Sequence, residues 1–214
     1  MPPPSGDARA AGTQAIVLAA GAGRRFGGGK LLARFRSRPL VCWAVEAALA
    51  SRVEGVTVVV GARGAEVAAL LAPLAGERLR VVRCGDWGEG IAASLRCGIA
   101  ALPAGTRAAL LLLGDMPLVS PALADRLLAY VLDGAPAALP LCHGEPGHPV
   151  AVSCRLFAAL AGLNGDRGAR SLLAGLDGVV SVATDDAGCV RDIDTRADLA
   201  ALAGRGWPAG IAGC

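Results

Sequence analysis

The apolar positions of the chain fall into short unbroken runs separated by longer stretches with helical spacing. QAIVLAA (14–20), VTVVVG (56–61), LRVVRC (79–84) and AALLLLG (108–114) have strand length, and each ends in or runs into a glycine. The apolar run QAIVLAA, ending at a glycine, predicts a strand buried as in a parallel sheet, and the other three predict further strands. Between them, PLVCWAVEAALAS (39–51), AEVAALLAPL (65–74), EGIAASLRCGIAAL (89–102) and SPALADRLLAYVL (120–132) have helical spacing. Pro39 and Pro121 stand at first-turn positions and Ser120 at a cap. Alternation of strand and helix through about residue 132 predicts an α/β fold, with a mostly parallel sheet covered on both faces.

Beyond that point the rhythm loosens. AALPL (137–141) and PVAVS (149–153) predict strands around the turn CHGEPGH (142–148), and short helical pieces follow near 155–163 and 168–175. VVSVAT (179–184) predicts another strand. Thr195 with Asp198 forms a capping-box start for the last helix. No repeat or linker divides the chain. It reads as a disordered lead (1–13), one domain (14–204) and a loose tail (205–214).

Composition constrains the core. Apolar residues make up 54% of the 214 but aromatics only 3%, so Ala, Val and Leu must fill the interior, with Trp43 and Tyr130 read as core. No run reaches the roughly 20 residues of a membrane span, and the lead lacks a signal-peptide pattern. A cytoplasmic protein without membrane partners is expected. Seven cysteines, an odd number without a Cys-x-x-Cys pair, predict small buried side chains rather than a zinc site or disulfide framework.

Charge is informative locally. A net charge of +3 is too small to point to nucleic acid. Six basic residues and no acid lie between Arg24 and Arg38, so the rest of the chain is net negative. Lys30 is the only lysine in a chain that otherwise uses arginine. Its place at the end of a glycine run suggests that a compact ammonium matters there.

That run is LAAGAGRRFGGGK (18–30). A phosphate loop of the Walker type needs Gly six residues before its Lys and Ser or Thr after it, where this chain has Arg24 and Leu31. A dinucleotide fingerprint needs a third glycine where Phe26 stands, and a ribose-binding acid that this chain lacks between Asp7 and Glu46. What remains is a glycine turn directly after a strand, with Arg25 and Lys30 projecting from it. Bare backbone amides approach phosphate closely, arginine forks onto its oxygens, and lysine supplies a point charge.

The stretch resembles the small nucleotidyltransferase signature L-A-A-G-x-S-x-R-M-G-x-x-K, matching at Leu18, Ala19, Ala20, Gly21, Arg25, Gly27 and Lys30. It departs at Gly23 (Ser in the family) and Phe26 (Met). EGIAASLRCGI, GDMPLV, GHPV, NGDRGAR and DIDTRADL resemble further family segments, with Arg196 in place of a proline. The resemblance covers about 15–203 and is nearest to the molybdenum cofactor cytidylyltransferase branch. It implies a three-layer αβα Rossmann-like fold, and transfer of CMP from CTP to the phosphate of molybdopterin with release of pyrophosphate. Ala20 fits the cytidylyl LAAG pattern rather than the guanylyl LAGG one.

Candidate roles follow. Leu18, Ala19, Ala20, Gly21, Gly23, Arg25, Lys30 and Ser94 are expected at the nucleotide. Arg25, Lys30 and Asp115 are the candidate catalytic groups. Asp115, on a turn after a strand that Pro117 stiffens, is a natural Mg²⁺ ligand. Asp192 and Asp194 flank Ile193 and point to one side of an extended segment; the resemblance makes Asp194 the second ligand and Asp192 the reserve. Gly147, His148 and Pro149 are expected at the acceptor by resemblance, which also implies transient contact with a molybdoenzyme or its chaperone. Two other classes share the glycine loop: an NAD(P)-dependent oxidoreductase, which the missing ribose acid disfavours, and a cofactor carrier without chemistry, which would not need two metal carboxylates. A related transferase using GTP or another phosphate acceptor is the near alternative.

Overall fold

The computed structural model describes residues 9–204; residues 1–8 of the expected disordered lead, the expected loose tail 205–214 and Cys214 lie outside the described residues. The chain forms β1 (Thr13–Ala19), β2 (Arg34–Phe35), β3 (Arg38–Pro39), α1 (Leu40–Ala50), β4 (Gly55–Val60), α2 (Gly64–Leu71), β5 (Leu79–Arg83) and α3 (Ile91–Ala100). It continues through β6 (Ala108–Leu113), α4 (Pro121–Leu132), β7 (Ala137–Cys142), β8 (Glu145–Pro146), β9 (Val150–Ser153), α5 (Phe157–Ala161), α6 (Ala169–Leu173), β10 (Val180–Thr184) and α7 (Arg196–Ala203).

The main sheet runs β10-β7-β9-β6-β1-β4-β5, with β8 added beside β7. β5, β4, β1 and β6 are parallel neighbours, as are β7 and β10, while β9 pairs antiparallel with both β6 and β7. The register sets Leu18 of β1 opposite Leu113 of β6, so the loops after these strands leave the same edge side by side. In open α/β sheets that carboxyl edge is where ligands bind.

Alternate residues of the strands feed two cores. Ala15, Val17, Val58, Leu110 and Leu112 pack with side chains of α1, α2 and α4 on one face. Ile16, Val59, Ala109, Leu111 and Val152 pack with α3, α5 and α6 on the other. Both faces of the central strands are therefore dry, which is why the runs show no polar alternation. Layering is αβα, with a mostly parallel sheet, as expected.

Several local readings change. Pro39 is not inside the first helical turn but caps α1, because it also closes the hairpin β2–β3. That hairpin turns through Arg36 (φ 47°) and Ser37 (φ 67°), left-handed without a glycine to announce it. Tyr130 is 44% exposed and not core, since α4 presents it away from the sheet. Trp43 is half-buried and donates its indole N–H to the Phe35 carbonyl. Cys42, Cys84, Cys142 and Cys189 are buried, whereas Cys154 is exposed at the end of β9. All described cysteines are free thiols. No helix among the described residues is long and apolar enough to cross a membrane.

Candidate active site

The glycine loop leaves β1 at Ala19 and makes two short 3-10 turns, Arg24–Phe26 and Lys30–Leu32. Gly23 adopts φ 64° and its carbonyl accepts from both Phe26 N and Gly28 N, each at 3.0 Å. A β-carbon on Gly23 would lie 2.8 Å from Cβ of Lys30. The loop thus excludes the serine of the family pattern here and presses against the lysine it positions.

A third, small apolar cluster explains how distant functional residues meet. It buries Phe26, Phe35, Leu40, Leu118, Ile193 and Leu202 together. Phe26 adjoins Arg25, Leu118 follows Asp115 by three positions, and Ile193 lies between Asp192 and Asp194. Burying these apolar side chains draws their polar neighbours to one rim of the sheet. A backbone bond from Ile193 N to Asp115 O at 3.1 Å fixes the two acidic segments to each other. Thr195 and Asp198 form the expected capping box, and the Asp198 carboxylate also accepts from Asp194 N at 3.1 Å.

Lys30 stands at the meeting point. Its Nζ lies 2.5 Å from Oδ2 of Asp115 and 2.9 Å from Oδ1 of Asp194. Arg25, largely exposed, pairs with the other oxygen of Asp194. Burial works against the Lys30 ammonium, but Asp115 and Asp194 more than offset it and raise its pKa above the ordinary value. Asp192 does not join this cluster. Partial desolvation, then the nearby charges of Asp194 and Asp115, push its carboxyl above the usual range.

The carboxylate pair suits a small divalent ion. Two carboxylates converge within 3 Å of a single point now held by the ammonium, and Oδ1 of Asp115 is buried without a hydrogen-bond partner. A buried carboxylate oxygen left without a partner, on the same group whose other oxygen meets the ammonium, is one that such an ion could satisfy. Among the described residues no group of three or more His, Cys, Asp or Glu is placed to hold a metal ion, so the remaining ligands would be water and substrate phosphates, which is usual for Mg²⁺.

Beside the cluster opens a cleft of about 410 Å³. Leu18, Ala20, Gly21, Ser94 and Asp115, all expected at the nucleotide or metal, line it. Ala19 is buried beneath the loop, facing the core. Arg24 rather than Arg25 faces this cleft, and Trp87, Gly90 and Asp166 complete walls that the sequence reading did not assign. Trp87 sits where it does because Gly61 has no side chain: a β-carbon there would lie 2.7 Å from Cβ of Trp87. The only cue for Trp87 was its place in CGDWGEG, a glycine-rich loop after a strand.

The turn 143–149 reaches the same edge from the other side. Gly147 and His148 line a smaller cavity of about 120 Å³ with Asp192 and Arg170. His148 N donates to the Cys189 carbonyl at 2.7 Å. Pro149, joined by a cis bond, is buried and lines neither cavity. Burial first, then the Arg170 charge, depresses the His148 pKa to about 4, so the imidazole is neutral. Its Nδ1 is enclosed without a partner. His143 is exposed on the turn.

Residues 15–180 match the MobA-like NTP transferase domain family. The chain belongs to this family. It is similar to nicotine blue oxidoreductase of Paenarthrobacter nicotinovorans, 34% identical over 84% of this chain and 91% of that one. It is also similar to 2-C-methyl-D-erythritol 4-phosphate cytidylyltransferase of Streptomyces avermitilis, 35% identical over 91% of this chain and 84% of that one. Among solved structures, Rv0371c from Mycobacterium tuberculosis superposes with a TM-score of 0.77 at 29% identity, covering 89% of this chain and 97% of that one. A complex of that mycobacterial protein with manganese is also known, TM-score 0.74 at 28% identity over the same shares. As a MobA-like NTP transferase domain, the chain carries the fold and the chemistry class of a nucleotidyltransferase.

Proposed function

We propose that the protein transfers CMP from CTP to the terminal phosphate of a molybdopterin-type acceptor and releases pyrophosphate, with Mg²⁺ as its metal. The observation that carries this reading is the meeting of Lys30, Asp115 and Asp194 at the rim of the glycine-loop cleft. Cytidylyl choice is supported by Ala20 and by the similarity to a cytidylyltransferase. The acceptor is supported by the resemblance of GHPV and DIDTRADL to their family segments.

In this reading an acceptor phosphate oxygen attacks the α-phosphorus, a new O–P bond forms, and the bond to the β-bridging oxygen breaks. Pyrophosphate departs with the electron pair. The attacking oxygen is already anionic, so no side chain need take a proton. What remains is to hold two anions together and to neutralise charge on the leaving group. Lys30 and Arg25 turn from the carboxylates onto the β- and γ-phosphates, where loop amides also bind. Gly21 and Ala20 let the nucleotide lie close to the sheet edge, and Ser94 meets base or ribose. When bound, Mg²⁺ supplies charge neutralisation between phosphates, and Asp115 and Asp194 would hold it. The product would then pass to a molybdoenzyme or its chaperone.

Pyrophosphate release from CTP, GTP or ATP with Mg²⁺ and molybdopterin tests this. Release with CTP that depends on the acceptor is expected. No release with any of the three nucleotides would overturn the proposal.

The similarity to nicotine blue oxidoreductase favours a second reading, hydride transfer from a nicotinamide cofactor. The loop speaks against the familiar binding mode. A dinucleotide's pyrophosphate rests on a helix that starts at the glycines, yet α1 starts only at Leu40, after a hairpin. The end of β4 runs into Gly61, not an acid. NADPH oxidation with a quinonoid dye, measured beside the pyrophosphate assay, separates the two.

A further inference from the structure

A second arginine waits beside the nucleotide cleft. Arg170, exposed on α6, lines the cavity of about 120 Å³ under the 143–149 turn and a larger one of about 300 Å³ next to it. It does not line the nucleotide cleft. Its Nη1 donates to the Pro146 carbonyl at 2.5 Å, which ties the guanidinium to the acceptor turn. Among the described residues no carboxylate pairs with it. The acids nearby are Asp166 in the larger cavity and Glu145 and Asp192 in the smaller.

The larger cavity is amphipathic. Leu95, Leu111 and Ile91 form apolar walls, while His148, Ser171 and Arg170 bring polar groups to it. His148 also lines the smaller cavity, with its Nδ1 enclosed and unsatisfied. All three cavities share Leu113, two residues before Asp115. Any ligand held here therefore abuts the nucleotide's reacting end. An unpaired guanidinium offers a fork to phosphate oxygens, and the cations of the glycine loop serve the other side of that meeting point.

We propose that Arg170 anchors the phosphate of the acceptor, a phosphomonoester whose apolar or planar body fills the cavity between α3 and α6. This rests on the reading of the acceptor as a phosphate ester. Arg170 holds the attacking phosphate beside Asp115, and an N–H or O–H group of the body reaches His148.

The test compares two phosphate esters with their free alcohols: 6-hydroxymethylpterin phosphate, and 2-C-methylerythritol 4-phosphate. Each is titrated calorimetrically into wild type, Arg170→Ala and Arg170→Lys proteins in the presence of a non-hydrolysable CTP analogue and Mg²⁺. Wild type should bind at least one ester about tenfold or more tighter than its alcohol, the scale of a charge-assisted contact. Arg170→Ala should reduce that ratio below about threefold while its affinity for the CTP analogue stays within about twofold. Arg170→Lys should restore part of it. If the ratio survives in Arg170→Ala, if the CTP analogue weakens equally, or if neither ester binds wild type, the inference is overturned. If the polyol phosphate shows the Arg170 dependence and the pterin phosphate does not bind, Arg170 remains the phosphate anchor, but the apolar or planar body is overturned and the molybdopterin acceptor falls with it.

Discussion

The guanidinium of Arg196 lies 5.1 Å from the ring centroid of Phe26. These are two of the positions at which the chain departs from the nucleotidyltransferase pattern, and they meet. Phe26 is buried at the base of the glycine loop, and Arg196 opens the helix that follows Asp194. Their stacking joins the loop bearing Arg25 to the segment bearing its partner. A double-mutant cycle with Phe26→Leu and Arg196→Ala, read by urea unfolding, should give a coupling of about 0.5–1 kcal/mol for so exposed a cation. Strict additivity would show that the contact is incidental.

Removing Lys30 takes away the only ammonium at the rim. Lys30→Ala should lower kcat for pyrophosphate release by roughly 100- to 1,000-fold, the usual scale for one electrostatic group acting on a leaving oxygen. The KM for CTP should change by less than about tenfold. Lys30→Arg should not restore the rate, since a planar fork does not fit between two carboxylates as a point charge does. A kcat near that of wild type in Lys30→Ala would remove Lys30 from the chemistry, and one in Lys30→Arg would show that the site needs a cation rather than an ammonium.

Asp115→Asn and Asp194→Asn should each weaken Mn²⁺ binding in the presence of CTP by about tenfold or more, because a divalent ion with few protein ligands depends on each carboxylate. Electron paramagnetic resonance of free Mn²⁺ reads this directly. Asp192→Asn should weaken it less, since the ion pairs of Lys30 are with Asp115 and Asp194 and not with Asp192. Equal losses for all three would mean that the ion sits elsewhere among them.

His148 gives a pH dependence. Its folded pKa of about 4 lies below the ordinary 6.5, so protonation favours the unfolded chain. The stability of the neutral form is intact above pH 6.5 and drains away as pH falls towards 4, by up to about 3 kcal/mol. His148→Gln lacks this loss. Its stability, followed by urea unfolding at several pH values, should decline less steeply than wild type in that window. Parallel curves would place His148 in contact with water.

At Gly147 a β-carbon would lie 2.3 Å from the Cys189 carbonyl oxygen. Gly147→Ala should therefore displace the acceptor turn and cost about 1–3 kcal/mol, visible as a lowered Tm. It should also raise KM for the acceptor more than for CTP. An unshifted Tm would mean that the segment around Cys189 yields freely.

The layers of this fold were legible because their signals are local. The runs that became β1, β4 and β6 are apolar on both faces, and Ser120 and Thr195 cap α4 and α7 as their spacing announces. The hairpin β2–β3 was not legible, since Arg36 and Ser37 take left-handed turns that glycine or asparagine normally marks. Arg25, Lys30 and Asp115 stood out in the sequence as candidates, and Asp194 through the family resemblance, but not their mutual contact: 85 residues separate Lys30 from Asp115, and the shared burial of Phe26, Leu118 and Ile193 holds their segments together. Trp87, Asp166 and Arg170 carry no periodicity of their own. They line the cavities because the topology places three separate loops along one edge.

The antiparallel strand β9 has one more consequence. Because it runs against β6, its first residue Val150 stands opposite Leu111, near the end of that strand from which Asp115 follows. The turn that feeds β9 consequently lies at the sheet edge from which Asp115 follows, while the strand itself is locked into the dry interior. Under the proposed transfer reaction, rewriting that turn by natural variation or grafting would change the choice of second substrate without disturbing the part of the molecule that holds the first.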